Sequence, residues 1–406
     1  MNIEEIKILR ELAKRVREIS DLPEMKDRRQ SWFNHNMLIK GRPLILCFPE
    51  NAWNEILPPD RIKCIDPIYR QWEYELSKRI YSWEHLRDDN VIESTFDISN
   101  IICVSDYNIA VNINKTNSND GAYSWDAQFD NLQDLLRAMR HREFSCKRDE
   151  TSRVFELAHE VFDGILKVRL RGPNCFTFGL SVEAIKLTGL ENFMLYMYDD
   201  PENLHKLMEF LMKDNLMFMD FLERERLLSP NNENDYIPSG GVGYTKEIGA
   251  EKKLAYTFND MWGFADSQET SSVSPNAFNE FVLTYQKPLL KRMGLLSYGC
   301  CESLDNRWNF IKGLNNLRRV SVSPWADQQK MADYMGDKYI YARKSNPSYV
   351  CANFDKDIIR KDIKNTISIA KKCNLEIILK DTHTVHNDPQ RLTRWIEIAL
   401  EEAQNS

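Results

Sequence analysis

Apolar residues recur along this chain with two alternating periods. Ile6, Leu9, Ala13, Val16 and Ile19 share one helical face, and Asp21-Leu22-Pro23 interrupts it before a second helix begins. Residues 1–40 therefore predict an N-terminal helical segment. Gly41-Arg42-Pro43 then lead into Leu44–Phe48, a compact apolar run that predicts a buried strand, with Pro49-Glu50-Asn51 as a loop. Asp66-Pro67 opens an amphipathic helix over 67–88. Between 91 and 150 the periods weaken. Val91–Phe96 and Ile101–Val104 read as strands, Asn112–Gly121 as a polar excursion, and helices follow at Leu132–Arg140 and Thr151–Phe162.

From there strand and helix alternate. Apolar runs begin at Ile165, Tyr236, Trp262, Leu295, Arg319, Lys338 and Glu376, and helical stretches separate most of them. One such helix is long, opened by Asp200-Pro201 and carrying Leu204, Leu207, Leu211 and Phe218 on one stripe. With the Leu44 strand the runs number eight. Strands alternating with helices imply a parallel sheet, and eight such units predict a (β/α)8 TIM barrel over 41–406 with an insertion near 91–150. No glycine-rich phosphate loop opens a helix, and Gly240-Gly241-Val242-Gly243 lacks dinucleotide spacing.

Composition narrows the partners. The 406 residues are 42% hydrophobic and 28% charged, enough for a large core, and the net charge is −7 with Lys and Arg dispersed. That balance argues against nucleic acid and anionic membranes as main partners. No run approaches the ~18 apolar residues of a membrane helix. The acidic, helix-like start Met1–Glu5 is unlike a signal peptide, so a cytoplasmic location is expected. The nine cysteines form no paired framework, as suits a reducing compartment. The oligomeric state is left open, a homodimer included.

Candidate chemistry falls at the ends of two predicted strands. Leu295-Leu296-Ser297-Tyr298 runs into Gly299-Cys300-Cys301-Glu302, and Glu376–Leu379 runs into Lys380-Asp381-Thr382-His383. On an extended strand alternate residues share a face, so Cys300 points with Glu302, and Cys301 with Gly299. Cys300, Glu302 and His383 would then offer sulfur, oxygen and nitrogen with a fourth position open, as around a catalytic zinc. If extended geometry has already ended at residue 300, Cys301 replaces Cys300. Asp381 or His386 could orient His383. The plainer reading of the same residues is two buried thiols beside a solvated glutamate.

Trp262-Gly263-Phe264-Ala265-Asp266-Ser267-Gln268-Glu269, Ser274-Pro275 with its helix, Tyr298–Glu302 and Ser321–Trp325 together resemble the uroporphyrinogen decarboxylase superfamily. The similarity runs from the Ile165 strand to the C-terminus. It implies one of two chemistries. Its cofactor-free decarboxylases hold a polyanionic porphyrinogen with an Arg-Gln-Ala-Gly-Arg segment near the first strand. This chain has Leu46-Cys47-Phe48-Pro49-Glu50 there, an acid in place of the arginines. Its cobalamin-linked methyltransferases hold zinc at the barrel mouth with a His-x-Cys pair and a later Cys, and exchange methyl groups with a corrinoid protein. Here the ligand types recur in changed order, as Cys300, Cys301, Glu302 and His383.

The resemblance thus implies a zinc methyltransferase working with a separate corrinoid protein and a small methyl donor. Zinc would polarise the donor heteroatom, and Asp266 or Glu269 would protonate it as it leaves. Trp262, Phe264, Tyr298 and Trp325 would line an aromatic substrate pocket, or else pack the barrel top. The alternatives are a decarboxylase and a small-molecule-binding barrel without catalysis.

Overall fold

The computed structural model describes residues 3–115 and 123–406. Part of the expected polar excursion at 112–121 lies outside them. Twelve strands are present among the described residues: β1 Leu44–Cys47, β2 Thr95–Ser99, β3 Ile102–Val104, β4 Ile113–Lys115, β5 Tyr123–Trp125, β6 Phe144–Cys146, β7 Lys167–Arg171, β8 Trp262–Ala265, β9 Leu295–Tyr298, β10 Leu317–Val322, β11 Ile340–Lys344 and β12 Asn374–Leu379. Six of them form one parallel sheet in the order β1-β12-β11-β10-β9-β8. Every residue of β1, β8, β9, β11 and β12 is buried, which is why these strands read as mainly apolar runs, broken in β11 and β12 by the buried charges Arg343, Lys344 and Glu376.

The fold is α/β with a parallel sheet, but the ladder does not close into the expected eight-stranded barrel. β2 and β7 form a separate parallel pair. At the β8 edge, Phe178 donates to the Phe264 carbonyl and Phe264 donates to Phe176, as one short bridge. At the β1 edge, carboxylate side chains replace a strand. Asp89 accepts from the Ile45 amide at 2.7 Å and Asp88 from the Cys47 amide at 2.8 Å. The expected strand at Tyr236 is not one: Tyr236 makes a single antiparallel bridge to Val242 in a turn-rich loop. The insertion holds the antiparallel pairs β3–β6 and β4–β5.

The N-terminal helices, Ile3–Ser20 and Pro23–Asn36, do more than precede the sheet. Leu9, Ala13, Val16 and Ile19 pack in one core with Tyr69, Trp72 and Leu76 of helix Pro67–Tyr81. At the end of the second helix, His35 Nε2 lies 3.0 Å from Glu376 Oε2, and Asn36 accepts from Arg319 at 2.7 Å. Arg319 Nε also pairs with Glu376 at 2.9 Å, with both side chains sealed from solvent. This charged plug inside the sheet compensates buried charge with charge. No helix among the described residues is long and apolar enough to cross a membrane.

Candidate functional site

β9 and β12 are not neighbours, since β10 and β11 lie between them. Three parallel-strand spacings in a flat sheet would hold their ends about 14 Å apart. Lys380 Nζ nevertheless lies 4.0 Å from Cys300 Sγ, the long lysine side chain reaching across the strand ends to the thiol.

Gly299 decides which thiol faces Lys380. Leu296 and Tyr298 point outward into the helical layer, where the Tyr298 hydroxyl donates to Gln286 at 2.8 Å. Strict alternation would send Cys300 outward as well. Gly299 instead has φ +93°, and a Cβ there would lie 2.5 Å from Leu304 Cδ1, so the reversal requires glycine. The chain turns, and Cys300 comes to Lys380.

Cys301 follows at the same mouth. Its sulfur is 3.6 Å from that of Cys300 and 3.8 Å from Asp381 Oδ2. Lys380 also lies 3.5 Å from Asp381 Oδ1 and 3.8 Å from Glu50 Oε1, and the Asp381 amide donates to Glu50 at 2.8 Å. Burial pulls the Lys380 pKa down, but the surrounding Cys300, Tyr236, Asp381 and Glu50 outweigh it and keep the ammonium charged. The hydrogen bond from Cys301 and the Lys380 charge bring Cys300 down to about 7 against the opposing effect of burial. Cys301 is driven up because its proton is shared with that sulfur. Of the two thiols, Cys300 is therefore the one that ionises first.

Asp266 follows β8 directly, at the same strand ends. Gly179 leaves it room, because a Cβ there would come 2.8 Å from Oδ1. Burial, with the charges of Glu302 and Glu269, pushes Asp266 up to about 9, so it remains protonated at neutral pH. Lys344, the last residue of β11, is also buried here, and burial brings it down to about 8.

The other expected site residues fall elsewhere. Glu302 is 1% exposed, and both its oxygens hold the turn: Oε1 accepts from the Ser267 amide at 2.9 Å and hydroxyl at 3.2 Å, and Oε2 from the Cys300 amide at 2.8 Å. Buried Arg307 supports the same arrangement by donating to Ser267 Oγ at 2.9 Å. Glu302 is thus a latch joining the ends of β8 and β9. Glu269 accepts from Ser181 at 2.9 Å. His383 is exposed, with Nδ1 against Asn51 at 3.2 Å, and His386 meets the Cys351 carbonyl at 2.7 Å.

The four aromatic residues do not form one wall. Trp262 starts β8, away from the strand end that carries Asp266, and its indole donates to Gly243. Phe264 and Tyr298 are buried, while Trp325 is 71% exposed.

The implied zinc set of Cys300, Cys301, Glu302 and His383 does not fit this geometry. Glu302 is saturated by amide and hydroxyl donors, His383 lies with Asn51, and the Lys380 ammonium already stands beside Cys300. Among the described residues no three His, Cys, Asp or Glu side chains are grouped as around a metal ion.

Lys380, Glu50 and Lys344 are the residues that strand-by-strand reasoning passed over as site members. The signal for Lys380 was a charged residue directly after the apolar run Ile377-Ile378-Leu379.

No protein-family model matches the chain, and no curated protein matches it in sequence. Among solved structures, a methyltransferase from Methanosarcina mazei aligns over 94% of this chain and 98% of its own, at TM-score 0.49 and 10% sequence identity.

Proposed function

We propose that the chain is a methyltransferase in which Cys300 takes a methyl group from a small methylated substrate and Asp266 protonates the heteroatom that leaves. The observation supporting this is the Cys300 sulfur held 4.0 Å from the Lys380 ammonium at the end of β9, with Asp266, a carboxyl pushed up by burial and by neighbouring negative charge, at the end of the adjacent β8. A thiolate is a strong nucleophile toward saturated carbon. Its lone pair forms the S–CH3 bond, the bond from carbon to the heteroatom breaks, and the heteroatom takes the Asp266 proton. Lys380 holds the thiolate in its ionised form before attack, and the Glu302 latch keeps the Cys300 turn against the end of β8.

The resemblance to cobalamin-linked methyltransferases adds a corrinoid on a separate protein as the other methyl carrier. Attack at Cys300 and proton delivery by Asp266 are this chain's own share of the chemistry. No step is assigned to zinc.

The test is peptide mass spectrometry after incubating the full-length protein with trideuteromethyl-labelled amines, thioethers and aryl ethers. Label is expected on Cys300 and is expected to vanish in Cys300→Ser. Labelling that persists in that variant, or an absence of label from every donor class, would overturn the reading.

A further inference from the structure

A cavity of about 420 Å³ is bounded by β1 and the loop after it, helix Pro67–Tyr81 and the Tyr236 loop. Phe48, Trp53 and Tyr236 supply aromatic surface to it, and Glu50 supplies a carboxylate. We propose that this cavity binds a small organic cation, a methylated ammonium, with the three rings as its faces and Glu50 as its counter-charge. The assignment rests on the methyl-transfer reading and names the class of donor, held here beside the thiol site before it moves on to Cys300.

Charge placement favours a cation over an anion. Two basic residues, Lys78 and Arg79, line the cavity, and both heads are already engaged by protein groups. Lys78 Nζ pairs with Glu75 at 2.7 Å and sits over the Tyr74 ring. Arg79 donates to the Thr95 carbonyl at 2.7 Å and stacks over Phe96. Their charges are thus committed within the protein. Glu50, by contrast, is one-third exposed, and only Oε2 has a backbone donor; Oε1 faces Lys380 at a loose 3.8 Å.

The rings are arranged for the same guest. Phe48 and Tyr236 meet edge to face at 5.1 Å, and Trp53 is braced by Tyr81 at 5.6 Å. Aromatic faces beside one carboxylate attract a quaternary ammonium, whose methyl groups fill apolar surface while its diffuse charge meets the ring quadrupoles. The site also adjoins the thiol: Glu50 contacts Lys380, and Lys380 contacts Cys300.

Calorimetric titration of the full-length protein with choline, and with its neutral isostere 3,3-dimethylbutan-1-ol, tests this. Choline is expected to bind more tightly than the isostere by on the order of tenfold. Glu50→Gln and Trp53→Leu are each expected to weaken choline by about that factor, while Trp53→Phe retains most of the affinity. Equal affinity for the two probes, or no choline binding, would overturn the proposal. Cys300→Ser is expected to bind choline normally, because its sulfur is not on the cavity wall. Choline binding without Cys300 labelling would therefore sink the methyl-transfer reading alone. Labelling from neutral donors without choline binding would sink the cation site alone.

Discussion

The ammonium of Lys380 stands 4.0 Å from the sulfur of Cys300, although two whole strands separate β12 from β9. That contact places a fixed positive charge where a soft anion forms.

Removing the charge should therefore show at the sulfur. In Lys380→Met the thiolate loses its counter-ion, so the Cys300 pKa rises from about 7. Alkylation by iodoacetamide at pH 7 should slow about fivefold for a rise of one pKa unit, the thiolate fraction falling from about one half to about one eleventh. Cys301→Ala should act in the same direction by removing the thiol that donates to Cys300. Unchanged alkylation profiles in both variants would show that neither group tunes the sulfur.

Activity should have two pH limits. Cys300 must lose its proton, so methyl transfer should rise as pH passes about 7. Asp266 must keep its proton, so the rate should fall as pH passes about 9. Asp266→Asn should lower kcat by about 10²–10⁴-fold and remove the upper limb while leaving the lower one. Retention of that limb in the variant would assign it to another group.

Gly299 is where strand parity reverses. Gly299→Ala would place a methyl group at φ +93° against Leu304, at a cost of about 1–3 kcal/mol. Urea unfolding should report this loss, and alkylation of Cys300 should change in the folded protein because the turn that aims it is disturbed. A fully stable variant with native thiol reactivity would show that the turn tolerates a side chain.

The charged plug beneath the site should dominate stability. Glu376→Gln leaves Arg319 buried without its full partner and should cost about 3–5 kcal/mol. Burial opposes ionisation of Glu376, but Arg319 and His35 outweigh it and hold its pKa below the usual value. Its stabilising contribution is thus complete above the ordinary carboxylate range and is lost as pH falls through the lower folded value. The pH dependence of unfolding in acid should flatten in the variant. Paired replacement by Arg319→Met and Glu376→Leu should cost less than the two single changes added together.

Because Lys380 already supplies a cation at the dithiol, dialysis against a chelator should leave Cys300 labelling intact. Metal analysis should find substoichiometric zinc. Stoichiometric zinc lost together with the labelling would mean that Lys380 swings away to admit the metal.

The order of elements was readable from the residues alone, because burial on both faces writes a strand as an apolar run and one buried stripe writes a helix with period 3.6. Seven of the eight expected strands and the two strand-end clusters at 300–302 and 380–383 were legible for that reason. What local pattern could not hold was the meeting of distant ends. His383 follows Lys380 by three residues, yet it turns to Asn51 while Lys380 reaches across to Cys300. The parity that would have carried Cys300 outward with Leu296 and Tyr298 was broken by one left-handed glycine, and Glu302 was drawn into holding backbone amides. Ladder breaks and single-residue reversals are set by packing between segments far apart in the chain, and only the folded arrangement decides them.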